Sequence, residues 1–488
     1  MGNNNSNLLF DKSRVGKVGF SLPLSDCPEV LAQDNIDSNL LRLEKLPLPE
    51  LSEPEIVRHF TNLSSKNYHI DKGFYPLGSC TMKYNPKIND MIASLDNFKN
   101  IHPLQDISTI QGSLELLYNL ENILNVITGM HSTTLQPSAG SQGEFAGILV
   151  MSKYHRINGN KKNNIIIPES AHGTNPSSVV LGGFTPVKVE TDSHGRVDID
   201  DLKSKVDKNT AGMMLTQPNT LGLFENNIEE ISKIIHDVDG LMYMDGANLN
   251  ALLGIARPSD MGFDITHINL HKTFSTPHGG GGPGAGPIAV VEKLSEFLPI
   301  PRVIRENDKF SLSTKFENSI GRLHSFYGNF LVLVRAYSYI LSLGDSGLKR
   351  MSKIAILNAN YLKKKLSKTY DIPYSNGTMH EFVISGVKQK NRGAKALDIA
   401  KSLLDYGYHS PTIYFPINVP ESIMIEPTES ENKETLDNFA ESMIEIDNLI
   451  DTDLEVILDA PINTPVGRLD ETKANRELDL NYYKQDKS

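Results

Sequence analysis

The chain reads as an α/β protein built on a largely parallel sheet, and three observations predict it. Short apolar runs with strand character recur between about residues 132 and 270, and segments of helical period separate them. The residues with the most chemical potential, Ser138, His172, Thr216, Asp245 and Lys272, all stand at or just beyond the ends of such runs. A composition of 39% hydrophobic and 22% charged residues is that of an ordinary folded chain, with enough apolar material to cover a sheet on both faces. In such sheets ligands sit beyond the carboxyl ends of the strands, which is where those five residues fall.

Taken in order, residues 1 to about 60 read as an extended arm. Turn chemistry stands at 21–23 and 47–54, with short helical pieces such as 39–43. An arm of this kind has too little core to fold alone and is expected to lie on another surface. The stretch IDKGFYPLGSCTMKYNPKIND, 70–90, has neither regular period but is rich in glycine, proline and aromatics, which predicts an ordered functional loop. Leucine at 114, 117, 120 and 124 with isoleucine at 123 and 127 predicts an amphipathic helix over 113–128. A short strand follows, then a small-residue turn at Ser138, Ala139, Gly140 and Ser141 that opens a helix from about 142. Free N–H groups and the positive end of the dipole at such a helix start suit a phosphate. Strands are expected at 164–167, 184–190, 212–216, 241–244 and 265–270, and helices at 198–205 and 228–238. After Arg322 a long apolar helix pattern bridges to a smaller α+β region. There, helices are expected at 348–368, 394–406 and 431–450, with strands at 380–384 and 422–426. The expected division is an arm and active-site loop over 1–100, a large α/β domain over 101–344, and a small α+β domain with a surface tail over 345–488.

Composition narrows the function classes. With 48 basic and 59 acidic residues the net charge is -11, and without a basic stripe a nucleic-acid partner is not expected. The two cysteines, Cys27 and Cys80, offer neither a disulfide framework nor metal spacing, which fits a cytoplasmic setting. No apolar run reaches membrane-spanning length, so no membrane partner is expected. The N-terminus is polar; its MGNNNS start fits a loose myristoylation pattern that is too short to count.

The chemistry concentrates in DITHINLHKTFSTPHGGGGPGAGPIAVV, 264–291, where an apolar segment ends at His271 and Lys272 and runs into a crowd of glycines. Glycine lets backbone approach a ligand closely, and a lysine delivered there can act as a nucleophile that forms a Schiff base with a carbonyl. A lone His-Lys pair is most often a solvated strand end. Two further stretches change that balance: Asp245 closes the run 241–244, and His172 follows the run 165–167. A strand-borne aspartate, then a strand-borne lysine, with a histidine before both, is the order of a pyridoxal phosphate site, where aspartate keeps the pyridine nitrogen protonated. Rival motifs fall away. Gly279, Gly281 and Gly284 spell a dinucleotide pattern, but Pro283 and Pro287 oppose the helix it requires. His271 and His278 lack the companions of a metal site, and neither a Walker A nor a G-x-S-x-G sequence occurs.

The segments YPLGSCTMKYNPKIN, HGTNPSS, PNTLGLFE, MDGANLNALLG, HKTFSTPHGGGGPGAGP, SIGRLHSFYGNFLVLVRAY, LDYGYHSPTIYFP, MIEPTESE and TPVGRLDE span nearly the whole chain. On them the sequence resembles the P-protein family of the glycine cleavage system, in its C-terminal-half form. The resemblance implies a fold-type I pyridoxal phosphate enzyme of the aspartate aminotransferase kind. It implies Lys272 as the Schiff-base lysine, Asp245 at the pyridine nitrogen, His172 stacked on the ring, and the turn Ser138 to Ser141 with His271 holding the phosphate; Thr216 and Ala247 join the cofactor-binding set. The implied activity is decarboxylation of glycine, with transfer of the aminomethyl group to the lipoyl arm of H-protein and release of carbon dioxide. The implied partners are lipoylated H-protein and a subunit 1, in an α2β2 heterotetramer. The 70–90 loop is then expected to border the channel for the lipoyl arm, with Tyr75 and Lys83 as reporters. Two alternatives stay open: another fold-type I enzyme, such as an aminotransferase or desulfurase, or a non-catalytic scaffold.

Overall fold

The computed structural model describes residues 8–42, 44–278 and 284–478. Gly279, Gly281 and Pro283 of the glycine stretch, residue 43 of the 39–43 piece, the MGNNNS start and the tail beyond 478 lie outside the described residues. The chain groups into two compact units, Met1–Lys72 with Thr464–Gly467 and Gly73–Asn463 with Arg468–Ser488.

In the first unit the expected arm is largely irregular, with short turns at Leu9–Lys12, Ala32–Asn35 and Ser38–Leu40. It also carries a helix, Glu53–Ser64, where only turn chemistry was expected. The signal was local: Glu55 accepts from the backbone N–H of Ser52 at 3.0 Å and from its hydroxyl at 2.8 Å, a capping box with Pro54 in the first turn.

The second unit is organised by a seven-stranded sheet: β1 Ser132–Thr134, β2 Asn164–Pro168, β3 Thr185–Val189, β4 Thr210–Thr216, β5 Leu241–Gly246, β6 Ile265–Ile268 and β7 Ile288–Val290. Their spatial order is β1-β7-β6-β5-β4-β2-β3, and β7 alone runs antiparallel to its neighbours. Strands β4 and β5 are buried along their whole length, the pattern of strands covered on both faces. Alternate side chains feed two cores. Met213, Leu215, Met242 and Met244 join Leu120 and Leu124 of helix Gln111–Thr128. Met214, Tyr243 and Ile265 join Ile148 and Met151 of helix Gly140–Ile157 on the other face. Period two thus turns one sequence into both layers.

Three features depart from the sequence reading. The strand expected over 265–270 stops at Ile268, and Lys272 rides on a short helical turn, Leu270–Thr273. Strand β7, and a hairpin of β8 Arg302–Glu306 with β9 Lys309–Ser313, were not anticipated. The bridging helix and its successor form one run, Phe330–Leu366, interrupted at Gly344, whose φ of 61° and ψ of −174° are not helical. Beyond it, β10 Phe382–Ser385, β11 Thr412–Ile413 and β12 Ser422–Ile425 make an antiparallel sheet in the order β10-β12-β11. This sheet packs its own core of Phe382, Ile384, Ile423, Ile425 and Phe439. Among the described residues no helix is long and apolar enough to cross a membrane.

Candidate active site

The carboxyl ends of the parallel strands meet at a cavity of about 240 Å³. Of the ten residues singled out by sequence, nine line it: Ala139, Gly140, Ser141, His172, Thr216, Asp245, Ala247, His271 and Lys272. Ser138 stands behind the wall, donating both its N–H (2.6 Å) and its hydroxyl (2.9 Å) to Gln142 Oε1, so it closes the turn instead of facing the cavity. A larger cavity, about 550 Å³, lies among Phe98, Leu114 and Phe330. It is the roomier of the two, but its wall is mainly apolar and brings together no set of convergent catalytic groups, so chemistry belongs to the smaller one.

Asp245 is the next-to-last residue of β5 and is 2% exposed. Its Oδ2 accepts from Asn175 Nδ2 at 3.0 Å and lies 3.5 Å from the Thr216 hydroxyl; its Oδ1 accepts from Ala247 N at 3.0 Å. His267, the register partner of Asp245 across β5 and β6, sets Nε2 3.3 Å from Oδ1 and is itself held by the Tyr243 hydroxyl at 2.8 Å. Burial works to raise the Asp245 pKa, but His267, the Asn175 amide, Lys272 and the Ala247 N–H together hold the carboxyl below its ordinary value. Glu144, one turn into helix Gly140–Ile157, goes the other way: burial and repulsion from Asp245 push it up. It accepts from Thr174 Oγ1 (2.8 Å), Asn175 Nδ2 (3.2 Å) and Ser178 Oγ (3.1 Å). Of two neighbouring buried carboxyls, the surroundings thus favour the charge on Asp245 and disfavour it on Glu144.

Lys272 is 8% exposed, and its Nζ donates to the Ser79 carbonyl at 2.7 Å. Beside it, burial and then His278 and Lys272 push the His271 imidazole down to about 3, so the ring is neutral; its Nδ1 is buried and has no hydrogen-bond partner among the described residues. His172 is exposed at the cavity mouth. Its Nδ1 lies 2.8 Å from Thr174 Oγ1 and 3.3 Å from the Thr174 backbone nitrogen, which fixes the ring against the start of helix Thr174–Leu181. On the opposite wall helix Gly140–Ile157 presents its N-terminus. The backbone is crowded there: a Cβ on Gly140 would stand 2.4 Å from Asn269 Oδ1, and one on Gly286 would stand 2.1 Å from the Ala139 carbonyl oxygen.

This arrangement has places for each part of pyridoxal phosphate. The helix N-terminus offers N–H groups to an anion, anionic Asp245 offers an acceptor for a protonated ring nitrogen, Lys272 offers an amine to a carbonyl, and the orphaned His271 Nδ1 offers a free polar contact.

The sequence pattern of the family described as glycine cleavage system P-protein matches residues 23–312, and that of glycine dehydrogenase, C-terminal domain, matches residues 351–463. The chain belongs to the glycine cleavage system P-protein family. It is 54% identical over 474 residues to a probable glycine dehydrogenase (decarboxylating) subunit 2 of Chlorobium chlorochromatii, covering 97% of this chain and 98% of that one. A Bacillus licheniformis protein of the same description is 53% identical over 485 residues, covering 99% and 100%. Among solved structures, an inhibitor-bound glycine decarboxylase (P-protein) aligns with a TM-score of 0.71 at 17% identity, covering 84% of this chain and 93% of that one. A cysteine desulfurase from Thermococcus onnurineus aligns with a TM-score of 0.61 at 15% identity, over 78% and 95%. These likenesses show the fold, which is fold-type I, and the P-protein family's cofactor is pyridoxal phosphate.

Sequence reasoning missed Glu144, Asn175, His267 and Ser79. For Glu144 a signal was present, since it follows Gly140 by four residues and so faces the same side of the helix. The expectation for Lys83 fails. Its side chain is buried, Nζ is paired with Glu429 Oε1 at 2.7 Å and donates to the Thr273 carbonyl at 2.9 Å, so it cannot border a channel. Tyr75 stacks on His409 with ring centroids 3.9 Å apart.

Proposed function

We propose that this chain carries the active site of a decarboxylating glycine dehydrogenase, working with a subunit 1 in an α2β2 assembly in the cytoplasm. Glycine is the substrate and the lipoyl arm of H-protein the acceptor. The observation that carries this reading is one cavity in which a hydrogen-bonded Asp245 near the end of β5 and a buried Lys272 on the turn that follows β6 come together, with a helix N-terminus on the wall. Within the proposal, 1–100 is the arm and loop region, 101–344 the cofactor-binding domain and 345–488 the small domain.

Lys272 would hold pyridoxal phosphate through its carbonyl carbon, Asp245 its ring nitrogen, Ala139 to Ser141 its phosphate, and His172 one face of its ring. When bound, the cofactor supplies a protonated ring that accepts the electron pair left on the substrate carbon as carbon dioxide departs. Asp245 keeps the ring proton in place by charge, and His267 and Asn175 keep Asp245 oriented. Lys272 would hold or return a proton at Nζ, with the Ser79 carbonyl as its partner. The neutral His271 contributes a hydrogen bond without a charge that would compete with Lys272. In the transfer, the carbon–carboxylate bond breaks, a carbon–sulfur bond forms, and the disulfide's second sulfur leaves as a thiolate, so the lipoyl group is reduced as the carbon is oxidised.

The test is the visible absorbance of the purified chain with added pyridoxal phosphate, followed by glycine titration with and without subunit 1 and lipoylated H-protein. The expected result is a band that shifts with glycine and is missing in Lys272→Ala, with bicarbonate exchange into the glycine carboxyl that requires H-protein. A band that answers other amino acids and ignores glycine would point to another fold-type I reaction. A protein that stays colourless with subunit 1 present would leave only a scaffold.

A further inference from the structure

The segment Ser79 to Tyr84 is gripped on two sides. Its donors face three glutamates of the C-terminal part. Glu381 Oε2 accepts from Ser79 N at 2.8 Å, Glu426 accepts from Thr81 N at 3.0 Å and from Thr81 Oγ1 at 2.6 Å, and Glu429 takes Lys83. Its carbonyls face the lysine-bearing segment. Ser79 O accepts from Lys272 Nζ at 2.7 Å, Cys80 O meets His278 Nε2 at 3.1 Å, and Tyr84 O accepts from Ser275 Oγ at 2.5 Å. The backbone between is strained: Ser79 has φ 65° and Thr81, a β-branched residue, φ 34°. Strain of this kind persists only where surrounding contacts impose it, and here the carboxylates do.

Glu381 and Glu426 flank the register pair Phe382 and Ile425, so they are cross-strand neighbours at one end of the β10–β12 ladder. Asn248 and Asn250, a few residues past Asp245, donate to them at 3.4 Å and 3.2 Å. Both glutamates are fully buried, and the pair sits one peptide away from Lys272 instead of touching it. That spacing has a chemical use. A carboxylate in direct contact would hold Lys272 as an ammonium, whereas a neutral carbonyl can accept from both the amine and the ammonium and favours the charged form far less than a carboxylate does.

We propose that Glu381 and Glu426 are positioning residues for the reaction, holding the strained Ser79–Thr81 backbone so that the Ser79 carbonyl aims Lys272 Nζ in both of its protonation states. Seating of the β10–β12 sheet is thereby transmitted to the lysine. The proposal rests on the reading of Lys272 as the cofactor lysine. The ionisable groups facing Lys272 around this arrangement are Asp245, His271, His278, His380, Cys80 and the two glutamates.

The test uses Glu381→Gln and Glu426→Gln in the full chain, with Glu421→Gln as control, since Glu421 serves the same sheet but binds Lys390 and the Ala396 N–H. In cofactor-free protein, acetic anhydride labelling of Lys272 is measured by mass spectrometry against the exposed Lys388. The expected change is a rise of about tenfold in the Lys272 ratio for the first two variants, the scale of one lost buried hydrogen bond, and none for the control. In cofactor-loaded protein, the pH midpoint of the visible band is expected to move by about one unit in those two variants only. Should either glutamine variant fail to fold, Thr81→Val removes only the hydroxyl bond to Glu426, and a rise in the same ratio is expected. An unchanged ratio and an unmoved midpoint overturn the proposal. Labelling needs no cofactor, so a colourless wild type overturns the functional reading and leaves the positioning role to be decided by the ratio alone.

Discussion

Gly286→Ala should loosen the cofactor without touching any group that reacts. Gly286 N donates to the Pro137 carbonyl at 3.0 Å, which ties the returning glycine stretch to the turn ahead of helix Gly140–Ile157. A methyl at this position would stand 2.1 Å from the Ala139 oxygen, 2.5 Å from its carbonyl carbon and 2.7 Å from Gly140 N. Non-bonded carbon prefers about 3.5 Å, so the turn must retreat by about 1 Å. All three atoms are backbone, and no side-chain rotation can relieve the clash. Overpacking of this severity costs about 1–3 kcal/mol. If that strain falls on the bound form, affinity for pyridoxal phosphate drops between about fivefold and about 150-fold. The assay is titration of cofactor-free protein followed by visible absorbance, with far-ultraviolet circular dichroism to show an intact fold. Gly112→Ala is the matched control. Among the described residues nothing lies within 4 Å of its added methyl, and in helix Gln111–Thr128 alanine is favoured by about 0.5–1 kcal/mol. Wild-type affinity in Gly286→Ala would refute the assignment of the 139–141 backbone to the phosphate.

Asp245→Asn keeps volume but loses the charge that holds the ring proton; cofactor affinity should change only a few-fold while bicarbonate exchange falls at least about 100-fold. Equal losses in both would remove Asp245 from the chemistry. Glu429→Gln strands the buried Lys83 ammonium, whose pKa burial lowers but Glu429 more than restores, and should destabilise by about 3–5 kcal/mol in urea unfolding. Lys83→Met with Glu429→Leu should recover most of it, and a cost below about 1 kcal/mol for the single variant would show the pair to be solvated. Burial pushes Glu426 up to about 7 from an ordinary 4.5, so in that window the folded chain keeps a proton that the unfolded chain gives up. Its contribution to stability is therefore greatest below pH 4.5 and falls as pH rises toward 7. Glu426→Gln should flatten that slope in unfolding midpoints compared at pH 5 and pH 7.5; an unaltered slope would mean that Glu426 titrates normally.

The parts of the site that were legible in the sequence are those that a parallel sheet organises by rule. Each strand end faces the same side, so Thr216, Asp245 and Lys272 could be placed together from local runs alone, as could the small-residue turn that starts a helix. What escaped depends on partners that no local spacing encodes. His267 matters because its register in β6 sets it against Asp245, and a pattern of apolar runs fixes the strand but not that pairing. Strand β7 was hidden because its three residues follow directly on a glycine-rich stretch, and its antiparallel direction follows from pairing with β1 and β6. Lys83 shows the limit most sharply. In sequence it is a basic residue in a loop, the usual description of a solvated or substrate-facing group. In the fold it is inside, answering to Glu429 some 346 positions away, while Ser79 and Thr81 answer to Glu381 and Glu426 over 302 and 345. The carboxylates that discipline the 79–84 segment lie in MIEPTESE and beside His380, stretches with no catalytic pattern of their own. Their meaning arises only when the second sheet closes over the end of the first, and so the residues that react could be read locally while the residues that aim them could not.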